Sequence, residues 1–309
     1  MIPDQARQAL VEKLGDRLAF DVPLSAHTSL RIGGPADAMA TPADRPELAS
    51  VLATCHAHDV PVRVLGSGFN VLVSDAGLRG MVLRLKKIRG IEQIADDRLR
   101  IEAGASHATI TRYCVEHGLT GLEFGVGIPG TLGGWLAMNA GIGSREMRDV
   151  VERVEFLDQR GRDCPPLLRS DLDFRYRELA GLPRGCVLVA ADLGVRASTP
   201  ADVQTEIEGL LARRQATQPT NVPSCGSVFR NPPGDHAGRL IESAGLKGAR
   251  EGAAEVSNLH ANFIVNSGGA TAYDVLRLIE RIRETVARET GTRLETEVQL
   301  VGDLIGGAG

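Results

Sequence analysis

The sequence has no Cys-x-x-Cys pair, no clear excess of either charge and no long apolar run. Its five cysteines, Cys55, Cys114, Cys164, Cys186 and Cys225, are odd in number and widely scattered. That argues against a disulfide framework or a cysteine zinc site, so no metal is expected, and it fits a reducing compartment. Lysine and arginine number 35 against 39 acidic residues, a net charge of −4. Neither nucleic acid nor an anionic membrane finds a basic surface in that balance. No window approaches the ~18 apolar residues of a membrane span. The opening MIPDQARQALVEKLGDRL is a charged amphipathic segment without the apolar core of a signal peptide. A soluble, cytoplasmic protein is expected.

Two phosphate-binding signatures are also missing. Gly66-Ser67-Gly68 follows a strand pattern, but the third glycine of a dinucleotide fingerprint is absent and FNVLVSD reads as strand rather than helix. No Gly-x-x-x-x-Gly-Lys-Ser/Thr occurs, which removes a P-loop enzyme. What the chain does have is glycine, 36 residues of it, clustered at 66–80, 119–143 and 225–252, where backbone can approach a ligand closely. The run Gly125-Val-Gly-Ile-Pro-Gly-Thr-Leu-Gly-Gly134 leads into a helix of small residues. Its open main-chain N–H groups suit a pyrophosphate, and tight packing of a glycine turn is the competing explanation.

The elements read as α+β, and 309 residues allow two or three domains. After a first helix, HTSLRIGGPADAMATPAD suggests a short strand, a Gly33-Gly34 turn and a second strand. Thr41-Pro-Ala-Asp44 then caps a helix to about His58. VPVRVLGSGFNVLVSDAGLRGMVLRL gives three strands separated by turns. Strands follow at RLRIEAG, VVERVEFLD and CVLVAADLGVR, with helices at HATITRYCVEHG, from Thr199, and near AGRLIESAG. ANFIVN is a strand, and a helix from Thr271 to about Glu289 carries Leu276, Ile279, Ile282 and Val286 as its core stripe.

Three segments hold candidate chemistry. PSCGSVFRNPP, residues 223–233, places Ser224, Cys225 and Ser227 around a glycine ahead of an apolar run closed by prolines. FRYRE offers Arg175 or Arg177, and LETEV offers Glu295 or Glu297, on one face if that segment is a strand. His56-x-His58 is a weak metal spacing at a helix end and is read as solvated. For His260, in NLHANFIVN, a structural hydrogen bond and a substrate contact are both open.

The order TSLRIGGPAD, VLGSGFNVLVSDAGLRGMVL, GLEFGVGIPGTLGGWLAMNAG, DFRYRE, RRQATQP, PSCGSVFRNP, RLIESAGLKGAREGAAEVSNLHANFIVN and LETEVQLVG resembles the UDP-N-acetylenolpyruvoylglucosamine reductases. The likeness extends from about residue 22 to 302 and is to the shorter type, without a tyrosine-bearing insertion between Arg177 and Ser227. It implies an FAD-binding domain of the vanillyl-alcohol-oxidase type, with a split N-terminal lobe and a second lobe, plus a separate C-terminal α+β substrate domain. The expected division is 1–78, joined by 290–309, for the first lobe, 79–205 for the second, and 206–289 for substrate.

By the resemblance, Gly66, Ser67, Gly68, Phe69, Asn70 and Val71 approach the FAD, as do Gly127, Ile128, Pro129, Gly130, Thr131, Gly133 and Gly134, with Asn139 and Ala140 nearby. Phe69 stands where the family commonly has serine and removes a hydroxyl, and His27 stands where asparagine is common. The implied reaction is reduction of FAD by NADPH, then hydride transfer to UDP-N-acetylglucosamine enolpyruvate, giving UDP-N-acetylmuramate. Arg177 and Glu297 match the residues that stabilise the enolate, and Ser227 matches the proton donor to C2. Asn231, Arg230 and Lys247 are expected substrate contacts. The resemblance also implies a monomer acting on small molecules. A flavin oxidase lacking need of this trio, and a non-catalytic flavin or sugar-nucleotide binder, are the rival readings.

Overall fold

The computed structural model describes residues 2–303. Met1 and residues 304–309, at the outer ends of the expected first lobe and its C-terminal extension, lie outside them. The chain forms two compact units. One comprises the residues up to Phe20 with Asp37–Ser67 and Gly80–Arg213; the other comprises Asp21–Ala36, Gly68–Arg79 and the described chain from Arg214 onward.

In the first unit the helix Asp4–Leu14 buries Ala6, Leu10 and Leu14, one every four residues, and this stripe shares a core with Leu48, Val51 and Leu52 of the helix Arg45–Ala57. Asp44 caps that second helix as expected, accepting the Glu47 N–H at 2.8 Å. A five-stranded antiparallel sheet runs in the order Leu167–Leu168, Val151–Leu157, Val187–Gly194, Arg98–Glu102, Ile91–Ala95. Its alternation is clean: Leu99 and Ile101 are fully buried between Arg98, Arg100 and Glu102.

The charged face of this sheet is held by Glu155, whose carboxylate takes the Arg100 guanidinium at two 3.1 Å bonds, Arg153 at 3.1 Å and Arg45 from the helix. Hydrogen bonding from Arg100 is the main reason the Glu155 carboxyl is held down at about 2. Asp192, across from Arg100 in register, is pushed the other way by burial, and its Oδ1 has no partner among the described residues. A helix His107–His117, capped by Ser106, and the short helix Leu132–Ala137 cover the apolar face. A small hairpin, Asp173–Arg175 with Glu178–Ala180, completes the unit.

The second unit is built on a four-stranded antiparallel sheet ordered Ser224–Ser227, Phe263–Asn266, Ala254–Val256, Arg250–Glu251. The helix Ala272–Thr290 packs into the same core, with Thr271 and Asp274 forming a reciprocal cap and Gly291 ending it at φ +73°. Its buried stripe is Val275, Leu278, Ile279, Ile282 and Val286, so Leu276 is only partly buried. The sheet faces the 275/279/282/286 line, and position 276 falls one step around the helix from it. Val71–Val73 pairs in parallel with Gln299–Val301. The short strand expected in HTSLRI does not form. Thr28 Oγ1 donates to the Ile32 carbonyl at 2.8 Å and accepts its N–H at 3.2 Å, so a side chain closes the loop that a strand partner would have opened.

Candidate active site

Two glycine-rich segments meet in the first unit. A Cβ on Gly66 would stand 3.0 Å from Thr131 Oγ1, and one on Gly134 3.8 Å from the same oxygen. The segment 127–131 is tied to the protein by its carbonyls. Gly130 accepts the His107 N–H at 3.2 Å, Ile128 the Trp135 indole N–H at 3.1 Å, and Thr131 the Trp135 main-chain N–H at 2.9 Å. The N–H groups of Gly127, Gly130 and Thr131 have no acceptor among the described residues. Unpaired donors on a loop with Gly127 at φ +81° and Gly130 at φ +150° have the electrostatics of an anion receptor. Gly133 serves packing instead, its N–H bonded to Ala103 at 2.8 Å and a Cβ there meeting Ala103 at 3.2 Å.

In the second unit Gly68, at φ +73°, is demanded by the chain itself: a Cβ would collide with the His27 carbonyl. Half-buried Phe69 follows. Asn70, at φ +37°, donates its side-chain amide to the Glu297 carbonyl at 3.2 Å, and its own carbonyl accepts the Gln299 N–H at 3.1 Å. Val71 then enters the strand beside Gln299. The expected flavin loop therefore doubles as a brace for Glu297.

Ser227 ends a bulged strand. Ser224 pairs with Val265 and Ser227 with Phe263, three steps against two, and the surplus is absorbed at Cys225-Gly226 with Gly226 at φ +81°. A Cβ on Gly226 would touch nothing within 4 Å, so conformation rather than crowding requires glycine there. Ser224, expected as a turn former, is a paired strand residue because Val265 takes it into the sheet. Cys225 is buried, and that burial pushes its thiol to about 12, the state of an inert filler.

Beyond Ser227, Val228 and Phe229 enter the core at 0% and 1% exposure. Asn262 clamps them: its Oδ1 accepts the Phe229 N–H at 2.9 Å, its Nδ2 donates to the Phe229 carbonyl at 2.8 Å, and its carbonyl accepts the Val228 N–H at 2.8 Å. From the other side the Glu297 N–H donates to the Val228 carbonyl at 2.8 Å. Ser227 and Glu297 thus share one main-chain frame. The segment 294–298 is not a strand; it makes a single bridge between Thr296 and Phe229. Glu295 is exposed and Glu297 half-buried.

Sequence reasoning missed Asn262; the available signal was a polar residue opening the apolar strand Phe263–Asn266. His260 Nδ1 accepts the Asn262 N–H at 3.2 Å, its ring meets Phe263 edge-on, and burial lowers its pKa. These contacts supply the structural hydrogen bond that is one of its two expected roles. His56 is likewise engaged, by Arg160 at 3.0 Å.

Arg177 lies in the first unit, in the two-residue turn of the Asp173–Ala180 hairpin, where Arg175 faces Glu178. It is held at φ +58° with its guanidinium 5.0 Å from the Tyr176 ring centre. Arg175 is spent on Asp173 at 2.6 Å. Among the expected substrate contacts, Asn231 Oδ1 accepts the Ala237 N–H at 3.0 Å, and Lys247 pairs with Glu242 at 2.7 Å. Arg230 keeps a buried Nε without a partner among the described residues. Asn139 and Ala140 are both buried, and the Asn139 side chain bonds Glu146, the Arg175 carbonyl and the Arg148 N–H.

None of the described helices is long and apolar enough to cross a membrane, and the described residues contain no group of three or more His, Cys, Asp or Glu side chains suited to a metal.

The chain is similar to known proteins over most of its length. Residues 36–163 match the FAD binding domain family and residues 218–301 the C-terminal domain of UDP-N-acetylenolpyruvoylglucosamine reductase. The UDP-N-acetylenolpyruvoylglucosamine reductase of Geotalea uraniireducens is 42% identical over 97% of this chain and 99% of its own length. The crystal structure of the corresponding Thermus caldophilus enzyme superposes with a TM-score of 0.79 at 35% identity, covering 91% of this chain and 98% of that one. Phl p 4.0202, a glucose dehydrogenase, shares the fold over 64% of this chain and 45% of its own, with a TM-score of 0.51 at 18% identity.

Proposed function

Because this chain belongs to the UDP-N-acetylenolpyruvoylglucosamine reductase family, FAD-dependent oxidoreductases of peptidoglycan precursor synthesis, we propose that it reduces UDP-N-acetylglucosamine enolpyruvate to UDP-N-acetylmuramate with NADPH as reductant. The residues present fit FAD. Unpaired N–H groups at Gly127, Gly130 and Thr131, with Gly66 close to Thr131, suit the pyrophosphate. When bound there, FAD would supply the hydride that the enolpyruvyl group takes at C3. Within this reading, residues 1–78 with 290–309 and residues 79–205 form the FAD lobes, and 206–289 the substrate domain.

The chain's own residues then have separate tasks. Addition at C3 leaves negative charge spread over C2 and the adjoining carboxylate, and the Arg177 guanidinium stabilises it. Ser227 donates its hydroxyl proton to C2, and Glu297, when it carries a proton, donates a hydrogen bond to the same carboxylate. Arg230, with its unpaired Nε, is assigned to the substrate's anionic end ahead of Asn231 and Lys247. The observation that carries the reading is the main-chain bond from Glu297 to Val228, which holds an acid and a hydroxyl on one frame in the second unit.

Stopped-flow absorbance of Ser227→Ala tests it. Reduction by NADPH should remain as fast as in the wild type, while reoxidation by the enolpyruvyl substrate should slow by about 10²-fold or more. A mutant that reoxidises at wild-type rate would remove Ser227 as the proton donor. Wild-type reduced flavin that ignored the substrate and reacted readily with oxygen would favour an oxidase.

A further inference from the structure

The reaction leaves one fully buried polar side chain without a task. Asn139 is 0% exposed and sits at φ +40°, two residues past the end of the helix that follows the 127–131 loop. Its Nδ2 donates to the Glu146 carboxylate at 2.9 Å and to the Arg175 carbonyl at 3.0 Å, and its Oδ1 accepts the Arg148 N–H at 3.0 Å. Both amide hydrogens are used, so the side chain has no donor left for a cofactor.

We infer that Asn139 is a positioning residue for Arg177, fixing the root of the hairpin turn that presents the guanidinium. This rests on the reading of Arg177 as a catalytic residue. The carbonyl that Asn139 holds belongs to the last strand residue before the turn, and Arg177 follows two residues later in a backbone conformation that non-glycine residues rarely hold without support. Glu146 is itself immobilised: its carboxylate takes Arg148 Nε at 3.0 Å and its N–H donates to Asp149 at 2.8 Å. The chain of contacts therefore runs from a fixed loop, through one amide, to the turn.

The residue type follows from the partners. Only a carboxamide of this length donates to a carboxylate and a carbonyl while accepting an N–H. Aspartate would set two carboxylates against each other, and leucine would take their side-chain partner from the Arg175 carbonyl and the Arg148 N–H. A mutation here should displace the guanidinium by a fraction of an ångström to an ångström, a misplacement that costs a well-aligned step about 10²-fold.

The test is a double-mutant cycle on the FAD-loaded enzyme with Asn139→Ala, Arg177→Ala and the double variant, following reoxidation of the reduced flavin by UDP-N-acetylglucosamine enolpyruvate. N139A should slow reoxidation by about 10²-fold, leave reduction by NADPH unchanged, and add nothing in the R177A background. A second readout needs no turnover: amide hydrogen exchange in the Asp173–Ala180 hairpin should accelerate in N139A with or without FAD, while exchange in Arg98–Glu102 and Val187–Gly194 stays as in the wild type. If N139A folds poorly, Asn139→Asp combined with Glu146→Gln reverses donor and acceptor between those two positions but leaves the Arg175 carbonyl without its donor. That variant should fold, keep its flavin and still reoxidise slowly.

Multiplicative slowing in the double variant, or loss of flavin with unchanged hairpin exchange, would overturn the positioning role alone. Wild-type reoxidation in R177A would overturn the catalytic reading of Arg177, and this inference with it.

Discussion

Arg177 stands in a two-residue turn between strands of three residues each, whereas Ser227 ends a bulged strand inside a four-stranded sheet. Each region is held by a buried asparagine that bonds main-chain groups more than thirty residues away, Asn139 on Arg175 and Asn262 on Phe229. The difference lies in what else leans on the clamped segment. Phe229 is the largest of the fully buried side chains and part of the second unit's core, so Asn262 serves stability and aim together. The carbonyl held by Asn139 belongs to a hairpin whose turn carries two side chains, Tyr176 exposed and Arg177 half-buried, so that contact governs aim first. Rigid support can come from a core or from a single side chain, and the two fail differently.

The sharpest way to break this comparison is Asn262→Ala. Two buried groups of Phe229 lose their partners, and urea unfolding should show a loss of about 3 kcal/mol. A loss below about 1 kcal/mol would put Asn262 on the same footing as an aim-only contact.

Next comes Glu155→Gln, which tests whether the first unit draws its stability from the charged sheet face, away from the Arg177 hairpin. Removing the shared acceptor of Arg45, Arg100 and Arg153 should cost about 2 kcal/mol at pH 7. The Glu155 carboxyl is depressed in the folded state from its ordinary 4.5 to about 2. Its contribution is therefore complete above about pH 4.5 and disappears as pH falls toward 2. The gap between wild type and mutant should close over that window, and a constant gap would deny the ion cluster its role.

The smallest effect is expected for Gly226→Ala. The methyl group meets open space, so the penalty is only that of a positive φ, about 1 kcal/mol. Reoxidation by the enolpyruvyl substrate should nonetheless slow, because the bulge aims Ser227. Unchanged reoxidation would mean that the bulge serves the sheet alone.

Much of this was legible in the residues. The cap read at Asp44 and the helix start read at Thr271 each act within three residues of their own position, and such local chemistry is written where it operates. The choice of Arg177 over Arg175, and of Glu297 over Glu295, came from ordered motifs; spacing alone left both pairs open. The structure adds that Arg175 is spent on Asp173 and that Glu295 is exposed. Asn262 stayed unread because a lone asparagine carries no periodic signal.

By itself the sequence determined the α+β class, the family, the helix boundaries to within a few residues and the segments that bear the proposed chemistry. Tertiary structure decided which asparagines act as clamps, that Gly68 yields to the His27 carbonyl while Gly226 faces open space, that Leu276 turns partly away from the core, and that Thr28 closes a loop where a strand was expected. The reason is range. Capping and hydrophobic periodicity act over a few residues of chain, whereas each of those outcomes depends on a partner that only the folded chain brings within reach, or on the space that folding leaves beside it.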